Sequence, residues 1–163
     1  MKILVISDTH GQINNPIKIL RDDKSITHII HLGDMVADAH ALQHIFYDKS
    51  FCKIRGNNDW REQVNDSALL SLCGHNIFAA HGHIFGVKTG YSSLAGHAKS
   101  LGCDLALFGH THIYADETIN GVRCINPSNK GYFIITDDDI NRIPTIAFAP
   151  FASASSTIRP IAI

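Results

Sequence analysis

The sequence predicts an α/β fold, and three observations carry that expectation. Short apolar runs alternate with segments of helical spacing through the first half of the chain, which implies parallel strands joined by crossover helices. The first run, Ile3 to Ile6, lacks the alternation of a half-exposed strand and so reads as covered on both faces. The runs also end on Asp, Asn or His, beginning with Asp8-Thr9-His10-Gly11, as strands do where a ligand sits at their C-terminal edge.

Taken in order, Lys2 to Ile6 is the first strand. Asn15-Pro16 reads as an N-cap followed by proline at the first helical position, with Ile17 and Leu20 on the inner face. Thr27 to Leu32 is a second strand running into Gly33-Asp34, and Val36 to Tyr47 is a helix carrying Ala39, Leu42, Ile45 and Phe46. Phe51 to Arg55 is a third strand that breaks at Gly56-Asn57-Asn58-Asp59-Trp60. Ala68 to Leu72 and His75 to Ala80 read as a hairpin across Cys73-Gly74, ending in His81-Gly82-His83. Ser92 or Ser93 is placed to cap a helix bearing Leu94, Ala98 and Leu101, before a buried strand from Leu105 to Phe108 that ends in Gly109-His110-Thr111-His112. Val122 to Ile125, Gly131 to Thr136 and Ile143 to Ala149 read as closing strands, with an acidic turn at Asp137-Asp138-Asp139.

A chain of 163 residues with 45% hydrophobic content suits one full core, so residues 1–163 read as a single domain, with 152–163 a loose tail. A formal charge of -1 offers no electrostatic footprint for nucleic acid or an anionic membrane. Cys52, Cys73, Cys103 and Cys124 are dispersed, which fits a reducing compartment. The first apolar run is too short for a signal peptide, and no stretch approaches the roughly 18 apolar residues of a membrane span. A cytoplasmic protein is expected. The eleven histidines ask for an explanation, and metal is the first candidate.

The strand exits offer Asp8 with His10, Asp34, Asn57, His81, and His110 with His112, all nitrogen or oxygen donors. Seven such side chains exceed what one zinc ion takes, whereas two ions roughly 3.5–4 Å apart and bridged by one carboxylate would use them all. Asp34 is the bridge candidate. Two divalent ions would leave such a site cationic, because Asp8, Asp34 and a bridging hydroxide remove only three of four charges. Phosphate oxygens would be attracted and a hydroxide generated near neutral pH. Glycines 33, 56, 82 and 109 would let the backbone turn beside the ligands.

In this order, Asp8-x-His10, Gly33-Asp34, Gly56-Asn57, His81-Gly82 and Gly109-His110-x-His112 resemble the motifs of calcineurin-like metallophosphoesterases, in particular the small prokaryotic phosphodiesterases. The resemblance covers roughly residues 1 to 136. It implies an α-β-β-α sandwich with mixed sheets and a dinuclear centre at the strand ends. One ion would take Asp8, His10, Asp34 and His112, and the other Asp34, Asn57, His81 and His110. It also implies a hydrolase in which a metal-bridging hydroxide attacks phosphorus, with small phosphodiesters favoured over monoesters. Nitrogen and oxygen ligands suit manganese, and equally iron, zinc or nickel.

Two departures stand out. Many relatives carry His after the motif Asn, where it can protonate the leaving oxygen, whereas this chain has Asn58, a poor acid. Small members often show Asn-Pro-Gly-Ser later in the chain, and here Asn126-Pro127 leads into Ser128-Asn129. His83 is a candidate proton donor or phosphate contact, and Asp59 a candidate for orienting a neighbour. The alternative to an enzyme is a protein-binding scaffold that keeps the fold with weak or no catalysis.

Other polar residues have plainer readings. His28, His31, His40, His44, His75 and His97 are expected to be structural, and Asp38 to serve the first turn of its helix. Trp60 is expected to pack or to stack on a substrate base, and Arg55 and Arg61 are loose candidates for phosphate.

Overall fold

The computed structural model describes residues 1–137 and the backbone of 147–150. Its strands are β1 (Lys2–Ile6), β2 (His28–His31), β3 (Ser50–Lys53), β4 (Ser67–Leu72), β5 (His75–Ala80), β6 (Leu105–Leu107), β7 (Ala115–Ile119), β8 (Val122–Asn126), β9 (Gly131–Thr136) and β10 (Ala147–Pro150). The helices are α1 (Asn14–Asp22), α2 (Val36–Ile45) and α3 (Ser92–Ser100), with a 3-10 turn at His83–Phe85.

The strands form two five-stranded mixed sheets, ordered β10-β9-β1-β2-β3 and β4-β5-β6-β8-β7. In the first, β1, β2 and β3 run parallel while β9 and β10 are antiparallel additions. In the second, β5, β6 and β8 run parallel, flanked by antiparallel β4 and β7. Ile3, Val5, Ile30, Ile77, Leu107, Ile125 and Phe133 fill the space between the sheets. Leu4 and Ile6 point the other way, into a cluster with Leu20 of α1 and Leu42 of α2. The unbroken apolar run of β1 thus serves two cores at once. A third cluster packs Phe78, Ala106 and Cys124 of the second sheet against Leu94, Ala95 and Ala98 of α3.

The layered α/β class is as expected, with differences in detail. The ligand-bearing exits are drawn from both sheets. The hairpin at Ala115–Ile119 and Val122–Asn126 adds β7, a strand absent from the sequence reading, which turns on Asn120-Gly121 with both residues at positive φ. α1 starts at Asn14, so Asn15 is not its N-cap and Pro16 lies inside the first turn, buried. α3 likewise starts without a serine cap, and Leu101 is 43% exposed. Asp138, Asp139, the expected strand residues 143–146 and the tail 152–163 lie outside the described residues.

Candidate metal centre

Within each sheet, neighbouring exits are joined by backbone. The Asp8 amide donates to the Gly33 carbonyl at 2.9 Å, and the Gly109 amide to the His81 carbonyl at 3.0 Å. Two glycines owe their identity to close approach. A Cβ on Gly56 would collide with the Asp34 side chain, and one on Gly109 would lie 2.6 Å from Asp8 Oδ2. The left-handed backbone falls on the ligands themselves. Of the nine non-glycine residues at positive φ among the described residues, five are Asp8, His10, Asp34, His110 and His112. Strain of this kind costs about 1–3 kcal/mol per residue, and its concentration on candidate ligands marks a site held together by its surroundings.

Asp8 is 1% exposed. Its Oδ2 accepts from Ser7 Oγ at 2.5 Å and from the His110 amide at 3.1 Å. Its Oδ1 is buried and accepts no hydrogen bond. That bare oxygen lies 3.2 Å from His112 Nε2 and 3.9 Å from His81 Nε2. One donor atom from each of Asp8, His10, Asp34 and His112 lies within 4.8 Å of all the others. This is the first ligand set expected from the sequence.

The second set meets around His81, which is fully buried. Its Nδ1 donates to the Leu32 carbonyl at 2.8 Å, and this fixes the tautomer that leaves a lone pair on Nε2. That lone pair faces Asn57 Oδ1 at 3.2 Å and Asp34 Oδ1 at 3.5 Å. Three acceptors face one another with no proton among them, an arrangement that repels unless a cation is bound. The His110 ring lies 5.1 Å from that of His81. Both halves therefore fit divalent ions, with Asp34 common to them. Burial lowers the pKa of His110, helped by His81, Lys88 and His83, so its neutral, ligating form is favoured.

The remaining candidates fall close by. Asn58 donates from its backbone amide to Asp34 Oδ1 at 3.0 Å and from its carboxamide to Oδ2 at 2.7 Å. The His83 ring lies 5.4 Å from that of His81 and 6.0 Å from that of His110, and its Nδ1 is buried without a partner. Asp59 is buried, accepting at Oδ1 from the Met35 and Val36 amides and at Oδ2 from the Gly56 amide, each at 2.9 Å. It therefore supplies the carboxylate at the start of α2, the place expected for Asp38. Asp38 turns instead toward the β1 exit, accepting from Thr9 and Gly11.

Arg55 is paired with both oxygens of Asp66. Arg61 lies 4.2 Å over the ring of Trp60, which is 70% exposed rather than packed. Ser7, Asn126 and the Leu32 carbonyl are supports the sequence reading omits. Asn126 Nδ2 donates to the Gly109 carbonyl at 2.8 Å and to Thr111 Oγ1 at 3.0 Å, steadying the His110 turn. Its position at the end of β8 was the available signal. Among the described residues no helix is long and apolar enough to cross a membrane.

A probable metallophosphoesterase of Bacillus subtilis is 28% identical over 163 residues, spanning 98% of this chain and 89% of the relative. A phosphodiesterase of Methanocaldococcus jannaschii is 28% identical over 163 residues, spanning 90% of each. Among solved structures, wild-type Vps29 of Entamoeba histolytica complexed with zinc superposes with a TM-score of 0.73 at 16% identity, covering 93% of this chain and 100% of that one. The model of the calcineurin-like phosphoesterase superfamily domain matches residues 1–132, and the chain belongs to that superfamily.

Proposed function

We propose that the chain is a phosphodiesterase that uses two divalent ions, manganese first among them, and acts on small phosphodiesters in the cytoplasm. The observation that carries this reading is the facing of bare acceptors: Asp8 Oδ1 on one side, and His81 Nε2 with Asn57 Oδ1 on the other, around the shared Asp34. Asp8, His10, Asp34 and His112 would hold one ion, and Asp34, Asn57, His81 and His110 the other. Ions bound there would supply a bridging hydroxide near neutral pH and stabilise the charge that builds on phosphorus. His83, at the rim of the second set, is our candidate to give a proton to the leaving oxygen, a task that Asn58 cannot perform, and it would do so against burial and the neighbouring His81, which lower its pKa. Asp59 keeps the Asn57 loop against α2.

The preference for diesters rests on the archaeal relative. The test is metal analysis of the saturated protein together with turnover of bis-p-nitrophenyl phosphate and p-nitrophenyl phosphate. Two ions per chain and faster diester turnover are expected. Asp34→Asn should lose both metal and turnover, because a carboxamide bridges two cations poorly. One ion or none at saturation would overturn the dinuclear reading.

A second reading is a protein-binding scaffold with weak or no catalysis. What favours it is that the Asn58 carboxamide occupies Asp34 Oδ2, an oxygen the bridge would use. Full metal loading with no hydrolysis of any phosphoester would decide for it.

A further inference from the structure

Beneath the first ligand set lies a chain of hydrogen bonds whose direction is determined throughout. The Gly33 amide donates to His31 Nδ1 at 3.2 Å, so the ring proton of the neutral imidazole sits on Nε2. Nε2 in turn donates to Thr9 Oγ1 at 3.0 Å. The Thr9 hydroxyl donates to Asp38 Oδ2 at 2.6 Å, and the same oxygen accepts from the Gly11 amide at 2.7 Å. His31, Thr9 and Asp38 are all buried, at 0%, 1% and 8% exposure. They come from β2, the β1 exit and α2, so the chain ties three elements together. Burial lowers the pKa of His31 to about 4, which keeps the ring neutral and the direction unchanged at ordinary pH.

The placement of these bonds is specific. Thr9 stands between Asp8 and His10, both at positive φ, and the Asp38 carboxylate grips the loop on either side of His10, at Thr9 and at Gly11. His10 itself is exposed, its ring meeting His112 edge-on at 5.4 Å, so the grip on its two neighbours sets its backbone. Asp59 does the corresponding work for the Asn57 loop through Gly56, and its side-chain bonds are distinct from those of Thr9 and of the Asp38 carboxylate, the two acids meeting only through the Met35 backbone. The two ligand sets therefore have separate supports on the same end of α2.

We propose that Thr9 and Asp38, backed by His31, are positioning residues for the first metal ion. They hold the strained Asp8-Thr9-His10 limb in its ligating conformation, while the second ion depends on the Asp59 support. This rests on the two-ion reading above. Outer partners of metal ligands typically change affinity by about 10–100-fold when removed. Thr9→Val keeps the shape of the side chain and removes the hydroxyl, leaving both His31 Nε2 and Asp38 Oδ2 short of a partner. Thr9→Ser restores the hydroxyl.

The experiment is calorimetric titration of the metal-free protein with manganese chloride, well below its melting temperature. Thr9→Val should bind one ion about 10–100-fold more weakly and the other as the wild type does, and Thr9→Ser should bind both normally. Two backgrounds identify the ion: in His110→Ala, adding Thr9→Val should weaken the remaining ion, and in His112→Ala it should change nothing. Equal weakening in both backgrounds, no weakening in either, or failure of Thr9→Ser to restore affinity would overturn the proposal. A wild-type stoichiometry of one would instead sink the dinuclear reading. The comparison of Thr9→Val with Thr9→Ser on that single ion would still decide whether Thr9 positions it.

Discussion

Asn58 holds Asp34 by both ends of its carboxylate, with the backbone amide 3.0 Å from Oδ1 and the side-chain nitrogen 2.7 Å from Oδ2. Asn58 therefore orients the bridge candidate, and its carboxamide is no useful acid. With no general acid at this place, protonation of the leaving oxygen falls to His83 alone, and aryl diesters should be cleaved faster than alkyl diesters.

Asn58→His should raise alkyl diester turnover by up to about 10²-fold and leave aryl turnover nearly unchanged. His83→Ala should lower alkyl turnover alone, because His83 faces His81 and His110 with a buried, unpartnered Nδ1. The ratio of aryl to alkyl rates in the three proteins is the measurement. A ratio that neither substitution moves would remove both residues from proton transfer.

Asp8 carries a different expectation, because a ligand made ready for a cation is a burden without one. Its Oδ1 is buried with no hydrogen bond, and its backbone is left-handed, a region asparagine also tolerates. Asp8→Asn removes an uncompensated buried charge, leaves a carbonyl oxygen for Ser7 and the His110 amide, and turns a nitrogen toward His112. The metal-free variant should melt about 2–4 °C higher for each kcal/mol gained, in a chain of this length, while binding the first ion far more weakly. A lower melting temperature in calorimetry would show that Oδ1 is satisfied in the folded protein.

How far the sequence carried the site follows from what kind of contact each residue makes. The candidate ligands were legible because a strand end fixes where its side chain goes, so Asp8, Asp34 and His81 could be placed at one site without tertiary detail. The supports were not. Asp38 was expected at its own helix end, where the dipole favours a carboxylate, yet it reaches Thr9, 29 residues earlier, and Asp59 takes the helix end from a distant loop. Local rules see only local partners, and both carboxylates find theirs through contacts between elements. β7 was missed for another reason: Asp116, Glu117 and Thr118 give it little apolar pattern, and only the Asn120-Gly121 turn announces the hairpin.

The glycines at the exits predict a contrast between two substitutions. On Gly109 an added Cβ would lie 2.6 Å from Asp8 Oδ2 and collide with Ser7, so Gly109→Ala must displace the carboxylate from its two donors. Overpacking of this kind costs about 1–3 kcal/mol. Metal should be lost as well. Gly96, on the exposed side of α3, would place its Cβ in open space, and Gly96→Ala should stabilise by roughly 0.4–1 kcal/mol. Chemical denaturation of both variants, with metal content measured alongside, checks the pair. Similar effects at the two positions would mean that Gly109 is not held against Asp8.

The buried His31 predicts how stability varies with acid. Burial is the leading cause that lowers its pKa from 6.5 to about 4, with the carboxylates of Asp38, Asp59 and Asp8 opposing it. Between those values the unfolded chain binds a proton that the folded chain refuses, so stability falls as pH drops from 6.5 and the loss is complete below about 4. The full contribution is roughly 3 kcal/mol, at about 1.4 kcal/mol for each tenfold difference in proton affinity between the folded and unfolded chains. Protonation at Nδ1 would also set a second donor against the Gly33 amide, breaking the chain that runs through Thr9 to Asp38. His31→Gln, which keeps hydrogen-bonding capacity and cannot titrate, should flatten this part of the profile even if it lowers stability at neutral pH. Melting curves of the metal-free protein at pH 4 to 7 give the comparison. Parallel profiles for the two proteins would assign the acid loss to groups other than His31.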